Sequence, residues 1–199
     1  MSALLGFGLM ASMAQPATEY KPGDKAPDFE AVDTNNQKIK LSDYRGKIVI
    51  LEWHNHLCPF VKKHYGTNNM QSLQEKYTSQ GVIWLTIVSS APGKEGHVNK
   101  EEANKLRQTS NMKSTATILD ESGTIGHMFD ARTTPHLFVI NKDGNFAYMG
   151  AIDDKPSTNP EDIKIAKNHL SAAVDALING QKVELTQTVP YGCSVKYAS

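Results

Sequence analysis

Two uninterrupted apolar runs, residues 48–53 (IVILEW) and 82–88 (VIWLTIV), constrain this chain more than any other feature. A strand with one wet face alternates apolar and polar side chains. These runs do not alternate, so each is expected to form a strand covered on both faces. The sequence between them supplies a helix: Pro59 suits a first helical turn, Met70, Leu73 and Tyr77 recur at helical spacing, and Gly81 ends the segment. After the loop SSAPGKEG come a polar helix near 101–109 and a short strand at 117–119. Residues 137–140 and 146–149 flank Asn141-Lys142-Asp143-Gly144, an Asp-Gly turn that joins antiparallel neighbours. Ile163, Ala166, Leu170, Ala173, Val174 and Leu177 share one face of a final helix over 160–178, closed by Gly180. Ahead of the first run, residues 29–32 and 38–41 read as a hairpin around Asp33-Thr34-Asn35-Asn36. The whole predicts an α/β fold: a central mixed β-sheet flanked by helices, with an N-terminal β-hairpin and an irregular C-terminal tail over 181–199.

The chain has 199 residues and no Pro, Gly or Ser-rich linker beyond Pro22-Gly23, so one domain is expected over 24–199. Lys plus Arg and Asp plus Glu number 21 each, which leaves no net charge to recruit nucleic acid or an anionic membrane. Residues 3–14 (ALLGFGLMASMA) are apolar and end in small side chains, the pattern of a signal peptide over 1–14, followed by a linker over 15–23. That run is shorter than the roughly 20 apolar residues that span a bilayer, so no membrane anchor is expected in the mature form. Export, to a bacterial periplasm, is the expected localisation.

Two cysteines, Cys58 and Cys193, are too few for a four-cysteine zinc site and suffice for one redox pair. Cys58 falls between the end of the first apolar run at Trp53 and the helix that begins at Pro59. A cysteine at a helix N-terminus faces free backbone N–H groups and the positive end of the dipole, which favour the reactive thiolate. Arg132-Thr133-Thr134-Pro135-His136 precedes the apolar stretch LFVI. A proline opening a strand removes one ladder donor and leaves a backbone edge on which an extended thiol substrate can lie.

PGDKAPDF at 22–29, LSDYRGKIVILEW leading into Cys58-Pro59, the Thr-Thr-Pro before a strand and the Asp-Gly hairpin resemble the thioredoxin-fold redoxins, including the alkyl hydroperoxide reductase/thiol-specific antioxidant group. CPFVKKHY, SSAPGKEG, GAIDD and the terminal GCSVKY are similar to one peroxiredoxin-like branch of exported bacterial thioredoxin-family proteins. The resemblance implies a thioredoxin-like fold with a cis peptide at Pro135 facing Cys58. It also implies an oxidoreductase working by thiol–disulfide exchange, hydroperoxide reduction or both, with Cys58 as nucleophile. Trp53, Asn55, Thr134 and Pro135 are the expected substrate-binding residues. The expected partners are a hydroperoxide or protein disulfide and an external thiol reductant such as a thioredoxin-like protein. The chain departs from the pattern in two ways. Val61 stands where thioredoxin-type enzymes carry their second cysteine, and Leu51 and Asn55 stand where peroxiredoxins carry Pro and Thr. Arg132 is the candidate for a peroxide-facing arginine.

Cys193 lies in Tyr191-Gly192-Cys193-Ser194-Val195, a tail that a Gly and a Pro leave conformationally free, and is the candidate resolving cysteine. A redox-active pair, a static disulfide and no pairing all remain open in the sequence. His54, His56 and Cys58 form an H-x-H-x-C string, and imidazole and thiolate suit copper or zinc. A thioredoxin-fold copper-binding or metallochaperone protein is therefore the alternative; otherwise no cofactor is expected. His64 reads as a solvated residue and Asp153-Asp154 as a structural loop. Glu52 reads as either a buried proton acceptor for thiol exchange or a lysine-paired carboxylate.

Overall fold

The two apolar runs form neighbouring parallel strands. In the computed structural model, which describes residues 19–198, they are β3 (Val49–Trp53) and β4 (Ile83–Val88), and every residue of both is buried. The chain reaches them through a hairpin of β1 (Glu30–Val32) and β2 (Lys38–Lys40) and a 3-10 turn at Leu41–Tyr44. Beyond them lie β5 (Ala116–Leu119), β6 (Thr133–Thr134), β7 (His136–Ile140), β8 (Phe146–Gly150) and β9 (Cys193–Ser194). The central sheet has the order β5-β4-β3-β7-β8, with β3, β4 and β5 parallel and β7 and β8 antiparallel. The mixed sheet and its flanking helices match the expected architecture. The apolar segment 3–14 lies outside the described residues. Within the segment assigned to the linker, Tyr20 packs on Phe146 and the Gly23 N–H donates to Phe146 O.

Two apolar layers cover the sheet. Phe29, Trp53, Leu85, Phe129, Phe138 and Phe146 fill one face, and Ile50, Met70, Tyr77, Trp84, Leu137 and Leu170 the other. Each such side chain contributes on the order of 1.5–3 kcal/mol by leaving water, which is why the unalternating runs sit at the centre.

Two expected helices are each divided. The segment after Pro59 forms α1 (Pro59–Gly66) and α2 (Asn69–Thr78), separated at Asn68, whose φ of 59° is left-handed. Asn tolerates that conformation, and the Thr67 hydroxyl closes α1 by donating to Lys63 O at 2.8 Å. The segment from Pro160 forms a 3-10 turn at Pro160–Lys164 and then a separate helix at His169–Ile178, because Asn159 and Asn168 each cap their own start. In chain order that last helix is α5, after α3 (Lys100–Thr109), which a capping box of Asn99 and Glu102 opens, and α4 (Thr124–Met128). The short α4 was not anticipated; buried Asp120 holds its start by accepting from the N–H groups of Ile125 and Gly126.

The tail, expected to be irregular and free, is tied down along its length. It first runs beside β8: the Met149 N–H donates to Thr186 O, the Thr188 N–H to Met149 O, and Ala151 N–H to Thr188 Oγ1. It then crosses the C-terminal end of β3, and β9 pairs antiparallel with β6. Finally Ala91 N–H donates to Lys196 O, while Tyr197 donates to Ala131 O at 2.7 Å and stacks on His127. Gly and Pro loosen a chain only where nothing binds its backbone, and here backbone and aromatic partners bind it.

Candidate active site

Register brings Cys58, Pro135 and Cys193 together. Trp53, the last residue of β3, lies opposite His136, the first of β7, so the turn after β3 and the turn before β7 meet at one end of the sheet. Cys58 caps α1 with Pro59 as the first helical residue, and the Thr134-Pro135 peptide is cis. The Cys58 thiol donates to Thr134 O at 3.0 Å. β9 then sets Cys193 directly opposite Thr134, with the Cys193 thiol hydrogen-bonded to the Cys58 sulfur. The resolving-cysteine candidate is thus delivered to the nucleophile candidate, and both are free thiols.

The two thiols differ in acidity. Burial alone would raise Cys58, but the Cys193 thiol, the Thr134 side chain and the N–H groups of Val61 and Cys193 favour its anion, so its pKa lies below the ordinary thiol value. Burial, the bond to Cys58 and the negative charge of Cys58 push Cys193 up to about 12. Cys58 is the more acidic thiol of the pair and Cys193 the less acidic.

The other expected site residues do other work. Asn55 is buried and its amide is committed to the loop: Oδ1 accepts from Leu57 N–H at 2.9 Å and Nδ2 donates to Glu95 O. Gly96 is required beside it, since a Cβ there would lie 2.3 Å from Asn55 Oδ1. Trp53 is a core residue, packed on Phe129 and Phe138 and donating to Ser89 Oγ, rather than a wall of the substrate site. Arg132 points to solvent, its side chain 66% exposed and paired with Asp130. Thr134 and Pro135 do adjoin Cys58, but the backbone edge expected to receive substrate is occupied by the chain's own β9.

The histidine string does not converge with Cys58 into a ligand set. His54 and His56 line one open pocket with Lys62 and Leu106, His54 Nδ1 lies 3.4 Å from Glu52 Oε1, and among the described residues no three His, Cys, Asp or Glu side chains converge as metal ligands. The donor set for the copper or zinc alternative is therefore not assembled. Glu52 is fully buried and meets neither a lysine nor Cys58. It accepts from Tyr65 OH at 2.8 Å, Trp84 Nε1 at 2.8 Å and Gln74 Nε2 at 3.2 Å. It ties α1 and α2 to the sheet.

Three residues given no role in the site from sequence meet just ahead of Cys193. His64, expected to be solvated, is fully buried; Asp153 is buried; and Tyr191 OH joins them, donating to Asp153 Oδ1 and lying 3.3 Å from His64 Nε2. The signal available was the spacing of Tyr191 and Tyr197 on either side of Cys193.

Comparison with known proteins accords with this geometry. The AhpC/TSA family matches residues 22–149. The chain belongs to the AhpC/TSA family. Among curated relatives, the thiol-disulfide oxidoreductase ResA of Bacillus subtilis is 29% identical over 144 residues, covering 70% of this chain and 73% of the relative. A hypothetical protein from Sinorhizobium meliloti superposes with a TM-score of 0.77 at 22% identity, over 92% of this chain and 97% of that one. A putative thiol:disulfide interchange protein DsbE from Chlorobium tepidum gives 0.61 at 21% identity, over 80% and 99%. These likenesses establish the thioredoxin-like fold. Within this AhpC/TSA chain the family match ends before the tail, so Cys193 lies outside the matched segment while Thr134, with which it pairs, lies inside it.

Two imidazoles near the site make stability depend on acid. Burial pushes His64 down to about 4 and His136 down to about 3. The unfolded chain protonates both near 6.5, so below that pH it binds more protons than the folded protein, and stability falls as pH drops from about 6.5 through the two folded values. The loss is about 3 kcal/mol per imidazole by pH 4. Urea midpoints measured from pH 7 to pH 4 are expected to fall steeply in the wild type and less steeply in His64→Gln and His136→Gln. Equal slopes in all three would contradict this assignment.

Proposed function

We propose that this chain is a thiol oxidoreductase that exchanges disulfides, with Cys58 as nucleophile and Cys193 as resolving cysteine. The Cys193 thiol held on the Cys58 sulfur by β6–β9 pairing is the observation that carries the reading. The pair between β6 and β9 is only two residues long, so β9 lifts at small cost and an extended substrate takes its place beside Thr134. Cys58 thiolate attacks one sulfur of the substrate disulfide and expels the other as a thiolate. Once Cys58 is bound in that mixed disulfide it carries no charge. Two of the causes that hold Cys193 protonated then vanish, and its proton passes to the departing thiolate or to water. Cys193 attacks the Cys58 sulfur, releases the substrate as a second thiol and leaves a Cys58–Cys193 disulfide. Two electrons have moved from protein to substrate. A thioredoxin-like dithiol restores the pair by attacking Cys193, the more exposed sulfur, and expelling Cys58, the better leaving group.

A disulfide is favoured over a hydroperoxide as the oxidant. Asn55 and Arg132, the polar groups expected to face a peroxide, are engaged elsewhere. The same reading includes export: the apolar run 3–14 supports a cleaved signal peptide, and an oxidising compartment lets the disulfide persist. Stopped oxidation of the reduced protein by a small disulfide and by equimolar hydrogen peroxide separates the substrates. Faster pairing of Cys58 with Cys193 under the disulfide is expected; faster pairing under peroxide would transfer the role to hydroperoxide reduction.

A further inference from the structure

Six residues of tail, Tyr191 to Lys196, hold the resolving thiol over Cys58, and the hydroxyl of the first of them meets two buried side chains, His64 and Asp153. The Asn69 side-chain amide donates to His64 Nδ1 at 2.9 Å, which leaves the proton of this neutral imidazole on Nε2, facing Tyr191 OH at 3.3 Å. Tyr191 passes its own hydrogen to Asp153 Oδ1, and the Lys155 N–H donates to the same oxygen at 2.9 Å. Around this chain of bonds, Phe60 packs on the Tyr191 ring and Lys63 lies over it while donating to Lys155 O. His64 and Lys63 come from α1, the helix that Cys58 opens, Asn69 from the start of α2, and Asp153 from the segment after β8. The socket is therefore built partly on the helix that carries the nucleophile.

We infer that Tyr191 is a positioning residue for the redox reaction: seated against Asp153 and His64, it is a fixed pivot that keeps Cys193 within reach of Cys58 while β9 lifts to admit substrate. The inference rests on the exchange reading above. Its physical content is chain length. Two residues of extended chain reach at most about 7 Å, so with Tyr191 seated, Cys193 stays close to Cys58 at high effective concentration even when unpaired from Thr134. Gly192, with φ of 145°, is the joint between pivot and thiol. Without the pivot the nearest upstream bond on the tail is at Thr188, and once β9 lifts the thiol is restrained only from downstream, by Lys196 O on Ala91 N–H and Tyr197 on Ala131 O.

The test is the equilibrium constant for forming the Cys58–Cys193 disulfide against glutathione, measured by alkylation and mass spectrometry. Tyr191→Phe keeps the ring packed on Phe60 and removes only the hydroxyl, and Asp153→Asn removes the acceptor charge. Each is expected to lower the constant by about tenfold, and the double variant by little more than either, because both break one bond. Tyr191→Ala is expected to lower it by about a hundredfold. Melting of the reduced variants identifies any that fail to fold. A constant within twofold of wild type in both Tyr191→Phe and Tyr191→Ala would overturn the pivot while leaving the exchange mechanism standing. A wild-type protein in which Cys58 exchanges but never pairs with Cys193 would overturn the exchange reading and the pivot with it.

Discussion

Cys58→Ser is expected to abolish turnover, by about a thousandfold or more, whereas Cys193→Ser is expected to stop the reaction halfway with Cys58 trapped in a mixed disulfide. The contrast follows from the acidity of the two thiols. Cys58 has the helix N-terminus, the Val61 N–H and the Cys193 thiol to favour its anion, and a serine hydroxyl in the same place stays protonated and unreactive. Cys193 is pushed up to about 12 while Cys58 is anionic, so it does not compete for the first step. Its own role begins only after Cys58 has reacted. Thiol counting and mass spectrometry after one addition of disulfide distinguish the two variants. Recovery of full turnover in Cys193→Ser would mean that a second external thiol, and not the tail, resolves the intermediate.

Gly192→Ala is expected to have the second largest effect, and to act on the tail without unfolding the domain. A Cβ built at Gly192 lies 2.1 Å from Thr134 O and 3.3 Å from Pro135 N, both backbone atoms that cannot turn aside. The φ of 145° at Gly192 is also one that alanine rarely adopts. The variant must therefore lift β9 off β6, and the Cys58–Cys193 equilibrium is expected to shift toward the dithiol by about a hundredfold, with Cys58 becoming accessible to alkylation. The described core does not include Gly192, so the melting transition is expected to stay cooperative. A Gly192→Ala protein with wild-type redox equilibrium and a shielded Cys58 would show that the tail packs in another way.

Much of this arrangement is legible from residues alone because it depends on local burial. Unalternating runs at 48–53 and 82–88 announce two covered strands, and Pro59 after Cys58 marks a cysteine at a helix start. A Thr-Thr-Pro before LFVI points to the strand edge beside it. The parts that stay hidden are set by partners distant in sequence. Asn68 divides a segment expected to be one helix, because the helical spacing of Met70, Leu73 and Tyr77 does not report a left-handed residue ahead of them. His64 looks solvated beside Lys62 and Lys63, yet α1 turns it toward Asp153 and a tyrosine from the tail. Asn55 and Trp53, close to Cys58 in sequence, point into the loop and the core, because β3 ends at Trp53 and Asn55 already belongs to the turn that follows it. The tail is the largest gap: its Gly and Pro suggest freedom, while the β6–β9 pairing and two tyrosine anchors that restrain it are tertiary.

In the proposed exchange, Cys58 and Cys193 act as one two-electron couple. This coupling is tested most directly by oxidising reduced wild-type protein with a limiting disulfide, blocking free thiols with an alkylating agent and mapping the peptides without reduction. A peptide pair linked through Cys58 and Cys193, formed in step with release of two substrate thiols, is expected. Cys58 oxidised while Cys193 is recovered alkylated, at every time sampled, would contradict it.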